Sequence, residues 1–104
     1  MKRFSFKMKL LPGNESIYKE RHDAIWPEIT SLLSAAGIQD YQISLDEETG
    51  ILFASLKAPD ESSIVTLAQQ PIMQKWWQHM KDIMETNADG SPVSVPLKEV
   101  FYLP

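Results

Sequence analysis

Residues 41–57 read YQISLDEETGILFASLK, and this stretch decides the fold. Its first part, Tyr41–Asp46, alternates apolar and polar side chains, which is the pattern of a strand with one buried face. The acidic segment Asp46–Gly50 is typical of a turn, and Ile51–Lys57 is rich in Ile, Leu and Phe, as strands often are. The stretch therefore predicts a β-hairpin.

A strand and an interrupted helical region precede the hairpin. Near the start of the chain, four apolar side chains alternate with polar ones: Phe4, Phe6, Met8 and Leu10. This period of two predicts a first strand. Asn14 can then cap a helix that runs to about Asp23. Pro27 interrupts this helix and starts a second helical segment, which ends at Gly37.

Two more helical segments and a last strand follow the hairpin. Asp60 can cap a helix to about Ala68, and Pro71 can open the next segment. Six apolar side chains of that segment recur with the period of a helix: Met73, Trp76, Trp77, Met80, Ile83 and Met84. Residues 86–96 contain Asn, Asp, Gly, Ser and Pro with little periodicity, which predicts an ordered loop or lid, and Leu97–Leu103 is expected to form the last strand.

The predicted order of elements is β-α-β-β-α-β. This is the order of the ferredoxin-like α+β fold, in which helices cover one face of an antiparallel four-stranded sheet. The 104 residues, 43% of them hydrophobic and 23% charged, fit one packed domain over residues 1–104. Strands three and four carry large apolar side chains on both faces, such as Leu52 and Phe53. We therefore expect a second copy to cover the open face in a homodimer, as a dimeric α/β barrel.

Composition excludes several classes of function. A net charge of −4, with scattered basic residues, disfavours binding to nucleic acid. The absence of cysteine excludes disulfides, thiolate nucleophiles and thiolate-bound metals, and isolated glycines provide no phosphate-binding loop. Met1–Leu10 lacks the apolar core of a signal peptide, and no apolar stretch is long enough to span a bilayer. We expect a cytoplasmic protein without a nucleic-acid or membrane partner.

His22 is the strongest candidate for chemistry. Tyr18 and Trp26 lie four residues before and after it, so the three share one face if the helix extends that far. Imidazole, with an ordinary pKa of about 6.5, is well suited to exchanging protons near neutral pH. The alternative is a histidine that only packs. No acidic ligand spacing accompanies either histidine, which disfavours a metal site, and His79 is expected to face solvent.

Aromatic side chains provide candidates for ligand binding. Trp76 and Trp77 are adjacent, and about 100° of helical rotation separates them, so we expect one in the core and one beside a pocket. An indole ring can pack against the C–H face of a sugar, although tryptophans on a helix often only fill a core. Tyr41 can offer its hydroxyl to a ligand or cap the edge of the sheet.

Several segments, taken together, resemble the L-rhamnose mutarotase family: 18–22 (YKERH), 25–28 (IWPE), the pair Trp76 and Trp77, 91–94 (SPVS) and 97–104 (LKEVFYLP). The resemblance extends over the whole chain. It implies a cytoplasmic homodimer of ferredoxin-like subunits that interconverts the α and β anomers of L-rhamnopyranose, without a metal or cofactor. It also implies that His22 is the proton donor and that Tyr18, Tyr41, Trp76 and Trp77 bind the sugar.

Anomer exchange requires only proton transfers, which suits this small set of reactive side chains. We expect His22 to donate a proton to the ring oxygen, while Tyr18 or a bound water acts on the anomeric hydroxyl. Two other functions remain open at this stage. One is a dimeric α/β-barrel monooxygenase, which has the same fold, and the other is a non-catalytic sugar-binding module.

Overall fold

The computed structural model describes residues 1–104, and the expected hairpin forms one side of its sheet. Strands β2 (Gln39–Asp46) and β3 (Ile51–Ala58) pair antiparallel, and β1 (Lys2–Lys9) pairs antiparallel with the other side of β3. A short strand, β4 (Val95–Pro96), pairs antiparallel with β1, so that the order across the sheet is β2-β3-β1-β4. The predicted ferredoxin-like α+β arrangement is confirmed.

Four helices connect and cover these strands: α1 (Glu15–Asp23), α2 (Pro27–Ala35), α3 (Glu61–Ala68) and α4 (Pro71–Met80). Pro27 and Pro71 occupy the first positions of their helices, as predicted. The carboxylate of Asp60 caps α3 by accepting a hydrogen bond from the backbone N–H of Ser63 at 3.1 Å. Asn14 precedes α1, but its amide donates to the carbonyl of Leu11 instead of capping the helix.

The helices pack against one face of the sheet and form the hydrophobic core there. The core side chains alternate along β1 and β3 and meet apolar residues of α2, α3 and α4: Met8, Leu52, Ala54, Leu56, Ala58, Ile29, Leu67, Met73, Trp76 and Met80. The opposite face carries mostly polar side chains, with Phe53 as a large apolar exception that is 42% exposed. Each of the four helices is too short or too polar to cross a lipid bilayer.

The last strand differs from the prediction. The structure has only Val95–Pro96 in β4, and the expected strand Leu97–Leu103 lies outside the sheet apart from one hydrogen bond, from the Leu97 N–H to the Ser5 carbonyl. Its side chains are among the most exposed of the chain, with Val100 at 89%. The prediction is wrong because the apolar pattern of this segment indicates which side chains can be buried but not whether β1 buries them.

The last helix also ends earlier than its apolar pattern suggested. α4 stops at Met80, yet Ile83 and Met84 are buried, at 2% and 5% exposure. Here the chain turns toward the end of β1, and the Ile83 carbonyl accepts a hydrogen bond from the N–H of Leu11 at 2.9 Å. Met84 forms an isolated bridge with Leu10. The periodicity therefore identified buried residues correctly but overestimated the length of the helix.

Gly37, which follows α2, provides a test of the fold. Its φ is +81°, and a Cβ atom at this position would lie 2.7 Å from Cγ of Pro59. Gly13 has nearly the same φ, +80°, but open space around it. We expect Gly13→Ala to lower the free energy of unfolding by about 1 kcal/mol through backbone strain alone. Gly37→Ala adds overpacking and should cost about 2–4 kcal/mol.

Urea denaturation of the two glycine variants measures this difference. Equal losses of stability would show that the contact with Pro59 contributes nothing beyond the positive φ.

Candidate active site

A cavity of about 1190 Å³ lies between the sheet and the helices, and most of its lining is apolar. Its wall includes the five side chains that the sequence analysis selected: Tyr18, His22, Tyr41, Trp76 and Trp77. These residues belong to three separate elements, α1, β2 and α4, which the fold brings together. An apolar cleft with a few polar groups on its wall is the usual form of a small-molecule site.

His22 is half-buried near the end of α1. Its Nδ1 atom lies 3.0 Å from the backbone carbonyl oxygen of Tyr18, one helical turn earlier. A carbonyl can only accept a hydrogen bond, so Nδ1 carries a proton and donates it to this bond. In the neutral ring, the other nitrogen, Nε2, then holds the lone pair.

Burial lowers the pKa of His22 below its ordinary value of 6.5, because the charged imidazolium loses hydration. The hydrogen bond to the Tyr18 carbonyl and the charge of Asp23 raise the pKa, but they do not offset burial. At neutral pH His22 is therefore mainly uncharged. Its Nε2 atom is able to accept a proton from a bound molecule.

The ring of Tyr18 stacks on the imidazole of His22, with centroids 4.2 Å apart and an interplanar angle of 27°. The predicted pairing of these two residues on one helical face is confirmed. Trp26 does not join them, because α1 ends at Asp23 and Trp26 lies at the residue before the first turn of α2. Its indole packs edge-on against Trp76, at a centroid distance of 5.1 Å.

Both tyrosines of the cavity keep their protons over a wide pH range. Burial, followed by the proximity of Tyr41, raises the pKa of Tyr18 well above its ordinary value of 10.0. Burial of the hydroxyl raises the pKa of Tyr41 to about 12, although 40% of the residue's surface stays accessible. At neutral pH each phenol is protonated, so it can donate a hydrogen bond but cannot act as a phenolate base.

A β-bulge positions Tyr41. The pairing of β2 with β3 shifts register between Gln39 and Gln42, and Asp40 within this irregularity has a positive φ of 51°. Arg3 forms an ion pair with the carboxylate of Asp40. Bulges are frequent beside functional sites because the extra residue redirects a side chain. The alternation of residues 41–46 predicted the strand but contained no signal for the bulge.

Trp76 and Trp77 both border the cavity. Trp76 is only 6% exposed and belongs to the hydrophobic core, while Trp77 is half-buried. We expected one tryptophan in the core and the other beside a pocket, but Trp76 does both. Its ring also approaches His22 edge-on, with centroids 5.5 Å apart.

The second histidine, His79, is exposed, as predicted, and lies outside the cavity. One side of its ring packs against Trp26, at a centroid distance of 5.3 Å, and against Trp76, at 5.5 Å. No group of three or more His, Asp or Glu side chains is arranged to hold a metal ion.

The loop after α4 supplies part of the wall that the sequence analysis did not identify. Ser91, Pro92 and Ser94 line the cavity. The backbone N–H of Asn87 donates to the Ser91 carbonyl at 2.8 Å, which makes this segment an ordered loop, as expected from its composition. Three core methionines also border the cavity: Met73, Met80 and Met84.

Comparison with known proteins identifies the family. The family model described as L-rhamnose mutarotase matches residues 3–103. L-rhamnose mutarotases from Sinorhizobium fredii and Bacteroides thetaiotaomicron are each 54% identical to this chain over 103 residues, which is 99% of both sequences. The crystal structure of L-rhamnose mutarotase from Formosa agariphila has a TM-score of 0.93 and 49% identity, and the match covers both chains completely. The chain belongs to the L-rhamnose mutarotase family.

Proposed function

We propose that this protein is an isomerase that interconverts the α and β anomers of L-rhamnopyranose in the cavity between α1, α4 and the sheet. One observation carries the proposal beyond family membership. An uncharged imidazole, with its Nδ1 proton engaged, lies against a protonated phenol on the wall of a cleft large enough to admit a monosaccharide. This pair contains one proton acceptor and one hydrogen-bond donor.

The reaction consists of proton transfers and one reversible bond cleavage. Ring opening removes the proton of the anomeric hydroxyl, adds a proton to the ring oxygen and breaks the bond between C1 and that oxygen. The anomeric oxygen becomes an aldehyde oxygen, and rotation about the C1–C2 bond exposes either face of the carbonyl. Closure returns both protons, so atoms and electrons balance without an oxidant or reductant.

We assign to His22 the removal of the proton from the anomeric hydroxyl. Its lowered pKa and the engaged Nδ1 favour a neutral ring whose Nε2 takes the anomeric proton during opening and returns it during closure. Tyr18, which its raised pKa keeps protonated at neutral pH, gives its hydroxyl proton to the ring oxygen, directly or through a bound water, as the bond to C1 breaks, and takes a proton back during closure. The residues are those expected from the sequence, but their roles in ring opening are exchanged.

Sugar binding is assigned to the remaining aromatic side chains. Trp76 and Trp77 offer indole surface to the C–H groups of the pyranose, and the Tyr41 hydroxyl offers a hydrogen bond. Rhamnose is a 6-deoxy sugar, so its C6 is an apolar methyl group, whereas other hexoses carry a polar hydroxyl on C6. The methionines on the wall, such as Met80, suit that methyl group, although an apolar recess alone discriminates only modestly.

The proposal includes a homodimer, which acts in the cytoplasm as the family resemblance implies. Four consecutive large side chains of the C-terminal segment are between 67% and 89% exposed: Val100, Phe101, Tyr102 and Leu103. Exposed apolar surface of this kind marks an interaction site. Phe53, on the face of the sheet that no helix covers, is a further large apolar side chain that is exposed. A second copy of the chain is the partner that we propose for this surface.

Replacement of His22 tests the catalytic assignment. Saturation transfer between the two anomeric protons of L-rhamnose, measured by NMR with and without protein, reports the exchange rate directly. We expect the protein to accelerate exchange and His22→Asn to reduce this acceleration by about 10²–10⁴-fold, the usual contribution of general acid-base catalysis. His79→Asn, in the histidine outside the cavity, should retain most of the activity.

Two outcomes would contradict this assignment. If the unmodified protein does not accelerate exchange but binds the sugar, it is a binding module. If His22→Asn, shown to be folded by circular dichroism, keeps full activity, another group transfers the proton.

The pH dependence of kcat/KM distinguishes the two possible roles of His22. If neutral imidazole is the acceptor, kcat/KM rises with pH through the His22 pKa, which lies below 6.5, and then reaches a plateau. An NMR titration of the imidazole Hε1 resonance supplies the same midpoint independently. A value of kcat/KM that falls as pH increases through this midpoint would instead make the imidazolium the proton donor.

Light scattering on a size-exclusion column tests the dimer. We expect a mass twice the 11.9 kDa of one chain, and Phe101→Ser should shift the equilibrium toward the monomer because it removes an apolar contact. A monomeric mass for the unmodified protein, measured at protein concentrations well above those of the activity assay, would remove the dimer from the proposal.

A further inference from the structure

The helix that carries His22 and Tyr18 has little packing of its own. α1 contains no fully buried residue, and no side chain caps its first turn. Its ion pair between Lys19 and Asp23 joins two residues of the same helix. Tyr18 is the one side chain of α1 that packs, partly buried, against the hydrophobic core, so a further interaction is needed to fix the orientation of the helix, and with it the imidazole, at the wall of the cavity.

Arg21 provides that interaction. Its Nη1 atom donates to the backbone carbonyl of His79 at 2.7 Å and to Oδ1 of Asp82 at 2.8 Å, while Nη2 donates to Oδ2 of Asp82 at 3.1 Å. These are the side-chain hydrogen bonds that link α1 to a distant part of the chain. We propose that Arg21 is a positioning residue, which clamps the end of α1 to the end of α4 and so holds His22 in place for catalysis.

The bonds of this clamp suit a rigid connection. A guanidinium that meets both oxygens of one carboxylate fixes orientation as well as distance. The Arg21 side chain is 21% exposed, compared with 78% for that of Lys19, so water competes less for its bonds. The third acceptor, the carbonyl of His79, belongs to the last turn of α4, where carbonyls lack helical partners and the helix dipole is negative.

Both ends of the clamp are close to the proposed catalytic pair. Arg21 is the immediate neighbour of His22 in α1, and His79 follows Trp76 by three residues, about one turn, in α4. Trp76 is the residue whose ring meets the imidazole edge-on at 5.5 Å. The clamp therefore joins α1 to α4, the same two helices that the contact between His22 and Trp76 joins. A displacement of about 1 Å at a reacting group can reduce a rate about 10²-fold.

This inference rests on the proposed role of His22, and the test separates the two. In the saturation-transfer assay, we expect Arg21→Ala to lower kcat by about 10- to 100-fold, because the imidazole is no longer held in place. KM for L-rhamnose should change much less, because the other proposed sugar-binding side chains, Tyr41, Trp76 and Trp77, are on β2 and α4. Glu20→Ala, which truncates the neighbouring charged side chain without any bond to α4, should leave kcat unchanged.

A double-mutant cycle identifies the partner. Asp82→Ala should also lower kcat, and the combination with Arg21→Ala should be no worse than Arg21→Ala alone, because both changes break the same unit. Arg21→Lys should lie between the unmodified protein and Arg21→Ala, since an ammonium can replace one bond but not the fork. If Arg21→Ala does not fold, Arg21→Lys and Asp82→Asn provide the same comparison.

The possible results decide each proposal separately. If His22→Asn is inactive while Arg21→Ala and Asp82→Ala keep the kcat of the unmodified protein, the clamp is overturned and the role of His22 stands. A loss that appears only in KM, or losses that are additive in the cycle, also overturns the clamp. If folded His22→Asn keeps full activity, the proposed proton transfer is overturned, whatever Arg21→Ala does.

Discussion

The packing of Trp76 connects the hydrophobic core to the candidate active site. Its indole is almost fully buried between the sheet and the helices, and it contacts the rings of His22, Trp26 and His79. One side chain thus fills the core, contacts the proposed catalytic histidine and forms part of the cavity wall. The strand alternation that buries one face of β1 and β3 provides the surface on which α4, and therefore Trp76, rests.

The chemistry of the site follows from how deeply its groups are buried. Burial lowers the pKa of His22 and raises the pKa values of Tyr18 and Tyr41. These shifts have one common cause, because each charged form loses hydration in the cavity. The result is a site whose proton-transferring groups are all uncharged at neutral pH. A neutral sugar entering this cleft meets an acceptor and donors without having to displace a counter-ion.

Local signals predicted the parts of the fold that depend on neighbouring residues. The hairpin at 41–57 and the helix starts at Pro27 and Pro71 are set by turn residues and by the restrictions of proline, which act within a few positions. The strand expected at Leu97–Leu103 failed because alternation reports which faces are apolar but not which partner will bury them. Ile83 and Met84 were correctly assigned to the core, although tertiary pairing with β1, not helix, buries them.

The site shows the same division. Tyr18 and His22 were recognisable together because one helical turn separates them, whereas Trp26 lies beyond the end of that helix. The bulge beside Tyr41 and the bonds between Arg21 and Asp82 involve residues far apart in the chain. No spacing rule can reveal such contacts, since they exist only after the sheet and helices have assembled. The resemblance to a family supplied the role of Tyr41, which the residue pattern left open.

The partner of His22 Nδ1 is a main-chain atom, and this has a consequence for the tautomer of the ring. Because the acceptor is the carbonyl of residue 18 and not its side chain, any amino acid that keeps the helix would leave this hydrogen bond, and the proton on Nδ1, in place. Helical geometry thus determines which ring nitrogen is basic, so the tautomer is insensitive to substitution at position 18. The tautomer of the imidazole consequently does not depend on the phenol that stacks on it.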